Sequence, residues 1–187
     1  AVAAKHGLPV HMDGARLWNA HVALGEPLDQ LAACADTVMV SFSKGLGAPV
    51  GACLAGNAKV MERAWEARKR FGGGMRQSGV LAAAALHGLE HNLPRLHEDH
   101  AKARAFAARL EQVAGARVVP PDTNIVMVDL PSGVHAPDVV GAARARGVLV
   151  TPWSNTRIRA VTHLDVTDAQ VVEAADIVAA AIEGLAA

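Results

Sequence analysis

Two short apolar runs constrain the fold of this chain most, because each breaks off into polar and glycine residues at its carboxyl end. Leu8 to Met12 runs into Asp13-Gly14, and Thr37 to Phe42 runs into Ser43-Lys44-Gly45. Between them Leu17 to Leu24 has helical spacing, and Pro27 to Ala35 is a connector of helical character. Apolar strands separated by helical segments imply a sheet covered by helices, with polar side chains presented at the carboxyl edge of the strands. Gly45, Gly47 and Gly51 with Pro49 then form a turn, and Val50 to Ala55 returns from it as a strand. That pair reads as a hairpin, so the sheet is expected to be mixed.

A lysine at a strand end is expected to be partly out of water. Desolvation disfavours its ammonium form, and a neutral amine is what attacks an aldehyde to make a Schiff base. Asp13, at the end of a neighbouring strand, is placed to face the ring nitrogen of a pyridoxal cofactor, and Arg16 offers a planar fork for a carboxylate. Taken singly, each has a plainer reading: Lys44 as a solvated loop lysine, Asp13 as the N-cap of the helix that follows it.

Four segments taken together are more specific. His11-Met12-Asp13-Gly14-Ala15-Arg16-Leu17, Ser41-Phe42-Ser43-Lys44-Gly45, Gly72-Gly73-Gly74-Met75-Arg76-Gln77 and Arg159-Ala160-Val161-Thr162-His163-Leu164-Asp165 resemble, in this order, the threonine aldolases of the aspartate-aminotransferase-like superfamily. The resemblance runs through essentially the whole chain. It implies an α/β fold of the pyridoxal-phosphate-dependent transferase type (fold type I). Residues 1–115 would be the C-terminal part of the cofactor-binding large domain, with a mixed sheet, and residues 116–187 a small C-terminal α/β domain. It further implies pyridoxal 5'-phosphate as cofactor, no metal, an amino acid as substrate and a homo-oligomer, dimer or tetramer. The expected reaction is aldol cleavage of a β-hydroxy-α-amino acid, such as threonine or allo-threonine, to glycine and an aldehyde.

Site residues follow from the same resemblance. Lys44 is the catalytic, cofactor-bearing residue, Asp13 holds the pyridine nitrogen protonated, and Arg16 and Arg159 bind the substrate carboxylate. Arg76, Lys69 and Ser43 are expected near the cofactor phosphate. Each also has a bland alternative. Arg159 reads as a strand-edge charge, with Arg157 on the same face; Lys69 suits a helix C-terminus, Arg76 faces solvent, and Ser43 caps local backbone. Arg159 is preferred because it leads into the Val161-Thr162-His163 run, whereas His11 and His163 read as structural. A β-eliminating or other amino-acid lyase of the same fold is the nearest alternative, and a non-catalytic fragment a further one.

The remaining periodicity completes the outline. Helices are expected over Ala58 to Arg70, Ser78 to Asn92 and Leu96 to Val113, the last ending at Gly115 and marking the domain boundary. Strands follow at Arg117 to Val119, Ile125 to Leu130, Val148 to Thr151 and Arg157 to Val161, with helices at Pro137 to Arg146 and Asp168 to Leu185. Ala1 to Gly7 reads as the last turns of a helix closed by a glycine, so the chain is expected to be a C-terminal half without the loop that wraps the cofactor phosphate.

Composition narrows the class. With 51% hydrophobic and 19% charged residues the chain is not a disordered polar one, and a net charge of +0 argues against an electrostatic grip on nucleic acid or membrane. No run approaches the roughly 18 apolar residues of a membrane span, and no basic-then-apolar leader is evident. Cys34 and Cys53 read as reduced, buried thiols of a cytoplasmic protein. One motif points elsewhere: His87-Gly88-Leu89-Glu90-His91 matches the H-x-x-E-H pattern of inverted zinc peptidases, against which stands an ordinary wet helix face.

Overall fold

Residues 2–186 are described in a computed structural model, so Ala1 of the expected first helix and Ala187 of the expected small domain lie outside the described residues. The chain divides into two units, Ala1–Leu96 and His97–Ala187.

In the first unit a short helix α1 (Val2–Lys5) precedes strand β1 (His11–Gly14), helix α2 (Leu17–Leu24), helix α3 (Leu28–Ala32) and strand β2 (Thr37–Ser41). Strand β3 (Ala52–Gly56) and helix α4 (Ala58–Arg70) follow, then helix α5 (Gly79–His87). β2 lies in the middle of the sheet, parallel to β1 and antiparallel to β3. The mixed sheet is therefore present, and it is small. Along β2, Val38 on one face and Ser41 on the other are buried, whereas every residue of β3 is exposed. Helix α4 starts where the Asn57 side chain accepts the Val60 N–H at 3.0 Å, and it ends in Arg68, Lys69 and Arg70, which suit its negative C-terminal pole.

Helix α5 is shorter than its alanine-rich sequence predicts. It stops at His87 and continues as a π turn, Gly88–Asn92, and a 3-10 turn, Leu93–Arg95. A β-carbon at position 88 would collide with the Leu46 carbonyl oxygen, so glycine permits the close approach, and the Asn92 amide donates to that same oxygen at 2.9 Å. The wider turn is thus held by contacts distant in sequence.

The second unit contains helix α6 (Leu96–Leu110), whose first residue belongs to the first unit, strands β4 (Arg117–Val119) and β5 (Ile125–Asp129), helix α7 (Ala136–Ala145), strands β6 (Thr151–Ser154) and β7 (Arg157–Val161), and helix α8 (Asp168–Ala186). Its sheet has the order β4-β5-β7-β6 and is antiparallel throughout. Val126, Val128, Ile158 and Ala160 point to one face and join Phe106, Leu110, Val139, Val178 and Ile182 of the helices in one core. The boundary falls at the head of α6 instead of at Gly115, because Ala103, Phe106, Ala107 and Leu110 pack into this core.

Two sequence expectations are corrected. The strand predicted at Val148 to Thr151 starts only at Thr151 and runs to Ser154; Pro152 is tolerated within it because β6 is an edge strand, where no ladder donor is required at that position. Cys34 and Cys53 are exposed, not buried: Cys34 lies just beyond α3 and Cys53 on the uncovered β3. Among the described residues no helix is long and apolar enough to cross a membrane.

Candidate active site

The parallel pairing of β1 with β2 sets Asp13 opposite Met39 and Gly14 opposite Val40. Asp13 and, just past the end of β2, Lys44 therefore stand at the carboxyl ends of adjacent parallel strands, the edge where ligands bind in α/β sheets. Asp13 Oδ1 accepts the Ala15 N–H at 3.1 Å, an Asx-type contact that orients the carboxylate and leaves Oδ2 without a partner among the described residues. His11 is tied to Thr37 through Nδ1 and Oγ1 at 2.8 Å, which makes it a cross-strand brace.

Lys44 is exposed, which corrects the expectation that its strand-end position alone takes it out of water. The strand ends at Ser41, and the lysine rides on the following turn, beyond the reach of the sheet's apolar faces. The turn itself is tightly held. Gly47 donates to the Lys44 carbonyl at 2.8 Å and adopts φ 73°, a conformation natural to glycine. Ala48 N donates to Phe42 O at 3.0 Å, Phe42 N to Gly51 O at 3.0 Å, and Trp18 Nε1 to Ser41 O at 2.9 Å. Leu46, 1% exposed, plugs the turn from beneath. The amine is thus presented to solvent on a fixed backbone, with no ion pair or hydrogen bond to any described residue. Ser43 is exposed and lies 3.3 Å from Ser41, hydroxyl to hydroxyl.

Arg16 is half-buried at the start of α2 and is already engaged by other groups of the protein. Lys69 and Arg76 are exposed, one in the last turn of α4 and the other in the connection after it. In the second unit Arg157 and Arg159 share the sheet face away from the core, as two-residue spacing predicts. Their surroundings differ. Arg157 forms a two-point pair with Asp129, its partner across the ladder, at 2.5 and 2.9 Å, and this contact holds the Asp129 carboxyl below its ordinary pKa. Arg159 has no carboxylate among the described residues, and its guanidinium lies 5.8 Å from the centroid of the Trp153 ring. Its strand is pinned nearby, where Thr162 Oγ1 donates to Asp99 O at 2.7 Å and Asn124 Nδ2 to Thr162 O at 2.8 Å.

Sequence reasoning does not reach the Asp129 pairing, whose only signal there is a pair of opposite charges at the ends of two strands. Trp153 escapes it as well, because Pro152 hides the strand. His163 faces Asp165 at 3.4 Å within its own turn. His87 and His91 stack with centroids 4.4 Å apart, but among the described residues no group of three or more His, Cys, Asp or Glu comes together as a metal-ligand set.

The donor set fits a pyridine ring that carries an aldehyde. A carboxylate oxygen is open for a protonated ring nitrogen, a primary amine free of partners is open for the aldehyde carbon, and both stand at one sheet edge.

Residues 1–132 match the family described as beta-eliminating lyase. The chain is 44% identical over 174 residues to low-specificity L-threonine aldolase 1 of Arabidopsis thaliana, covering 91% of this chain and 49% of the relative. It spans about half the length of the curated relatives it matches. Among solved structures, a Listeria monocytogenes protein provisionally assigned as an L-allo-threonine aldolase superposes with a TM-score of 0.76 at 24% identity, over 98% of this chain and 54% of the other. The α-aminoadipate aminotransferase LysN of Thermus thermophilus, complexed with N-(5'-phosphopyridoxyl)-L-leucine, gives 0.76 at 19% identity over 99% and 52%. The architecture is that of the pyridoxal-phosphate-dependent fold-type-I enzymes, and by its match over residues 1–132 the chain belongs to the beta-eliminating lyase family.

Proposed function

We propose that the protein cleaves a β-hydroxy-α-amino acid, threonine or allo-threonine, to glycine and an aldehyde, using pyridoxal 5'-phosphate. The observation that carries this reading is the pair of groups at one sheet edge, Asp13 Oδ2 open and Lys44 on its locked turn, in a chain 44% identical to a threonine aldolase. When bound, the cofactor supplies an electron sink for the pair released as the Cα–Cβ bond breaks. The chain's own residues do the rest. Lys44 would hold the cofactor, its Nζ taking the place of the aldehyde oxygen, which leaves as water, and the fixed backbone of residues 42–48 spares it the entropy of finding its position. Asp13 Oδ2 would accept the N–H of the ring and so keep the proton on that nitrogen. Arg159, which has no carboxylate partner among the described residues, is assigned to the substrate carboxylate, whose grip would select the bond to be broken. Arg16 is assigned to the same group and would bind it beside the partners it already has. Ser43, Lys69 and Arg76 are assigned to the phosphate, as hydroxyl and cationic donors.

A homo-oligomer, dimer or tetramer, is part of the proposal. The exposed Trp65, Phe71, Met75, Val80 and Leu86 on and around α4 and α5 support it, being apolar area that association would cover. A second reading, β-elimination, is favoured by the name of the matching family. The products of threonine decide between them. Glycine with acetaldehyde, lost in Lys44→Ala, supports aldol cleavage; an oxo acid with ammonia overturns it in favour of elimination.

A further inference from the structure

We infer that Trp153 is a positioning residue for Arg159: its indole face holds the guanidinium in place on the open side of the second unit's sheet. The inference rests on the reading of Arg159 as a carboxylate ligand and adds to it a residue that reading does not contain.

The geometry starts with an irregularity in the ladder. β6 pairs with β7 through Thr151 opposite Arg159, Pro152 opposite Ile158 and Ser154 opposite Arg157, so Trp153 is one residue too many and has no partner across. An extra residue of this kind bends its strand and re-aims its side chain. Here the side chain is a tryptophan, 62% exposed, brought under the Arg159 guanidinium at 5.8 Å. A large aromatic left that open to water gains little by burial. What it gains is attraction between the ring's negative face and the cation.

The neighbouring arginine shows why such a support matters. Arg157 is fixed by two hydrogen bonds to Asp129, which occupy one edge of its guanidinium and pair its charge. Fixed in that way, Arg159 would meet a carboxylate ligand with its charge already paired and only one edge open. An aromatic face orients the cation while leaving its N–H groups free, and it lowers the number of rotamers lost when a ligand is grasped.

The test is a variant series in the protein as expressed, read by substrate kinetics and by NMR of the arginine Nε–H groups. Trp153→Ala should raise KM for the amino acid roughly two- to fivefold, with kcat changed less. Trp153→Leu should do the same, and Trp153→Phe should restore most of the loss, because apolar volume without a π face is not enough. In an Arg159→Ala background, Trp153→Ala should have no further effect. The Arg159 Nε–H resonance, displaced by the ring current, should return toward the ordinary arginine position in the Leu variant and not in the Phe variant. A raised KM in Arg159→Ala with no change in Trp153→Ala overturns this inference alone, as do additive effects of the two substitutions. An unchanged KM in Arg159→Ala overturns the carboxylate reading and takes this inference with it.

Discussion

The two units of the molecule divide stability and chemistry between them. Among the described residues of the first unit, only Val38, Leu46, Ala48 and Leu96 are buried hydrophobics, while Leu8, Leu24, Leu54, Trp65, Phe71 and Val80 are exposed. The second unit packs Phe106, Leu110, Val126, Val128, Ile158, Val178, Ile182 and their neighbours into one closed core. Yet the strand-end aspartate and the lysine on its locked turn belong to the first unit. A sheet with one whole face packed against its own helices holds itself together, whereas one with β3 open along its whole length offers surface for other contacts. The same difference exposes Lys44: its turn is rigid from below and uncovered from above.

Substitutions can break this division or sharpen it. The largest effect is expected from Lys44→Ala, which should lower threonine cleavage by several orders of magnitude and abolish the visible absorbance that pyridoxal phosphate gains on binding, with no change in the denaturation midpoint. Retained absorbance in that variant would remove Lys44 from its role. Next, Ile158→Ala opens a cavity in the second unit's core and should cost about 2–5 kcal/mol in denaturant unfolding. Leu54→Ala on the open β3 should cost within about 0.5 kcal/mol. Equal costs would mean that the first unit is better covered in solution than its surface implies. Arg159→Lys comes third, since a point charge cannot replace a planar fork. Affinity for the amino acid should fall on the order of ten- to a hundredfold, the worth of a charged hydrogen bond, and undiminished affinity would shift the role to another residue.

The smallest effect is a pH dependence carried by the second unit. Burial, reinforced by Arg104 and then His97, holds the His100 imidazole below its ordinary pKa. Below about pH 6.5 the unfolded chain takes up a proton that the folded chain refuses. This contribution is therefore complete above that pH and is lost as pH falls toward the folded value, with a slope of at most about 1.4 kcal/mol per pH unit. Unfolding measured between pH 7.5 and 5.5 should show that slope in the wild-type protein and less of it in His100→Gln. An identical slope in both would assign it to other groups.

Much of this architecture is legible in the sequence. The periodicity of Leu17–Leu24, Ala58–Arg70, Arg117–Val119 and Arg157–Val161 marks elements with the same bounds as in the structure, because each is decided by side chains a few residues apart. Asp13 and Lys44 are likewise legible at strand ends, since a strand's polarity fixes which of its ends carries the polar residues. Tertiary structure alone decided what surrounds them. Whether Lys44 or Cys53 is buried depends on what packs over a turn or an edge strand, and no local pattern encodes that. The π turn at Gly88 exists because Leu46 and Asn92 meet there from 46 residues apart. Asp129 reaches Arg157 only once β5 and β7 are in register, and that contact separates two arginines that look alike in sequence. Local spacing sets which faces are apolar; exposure, pairing and the freedom of a charged side chain are set by residues brought together from far along the chain.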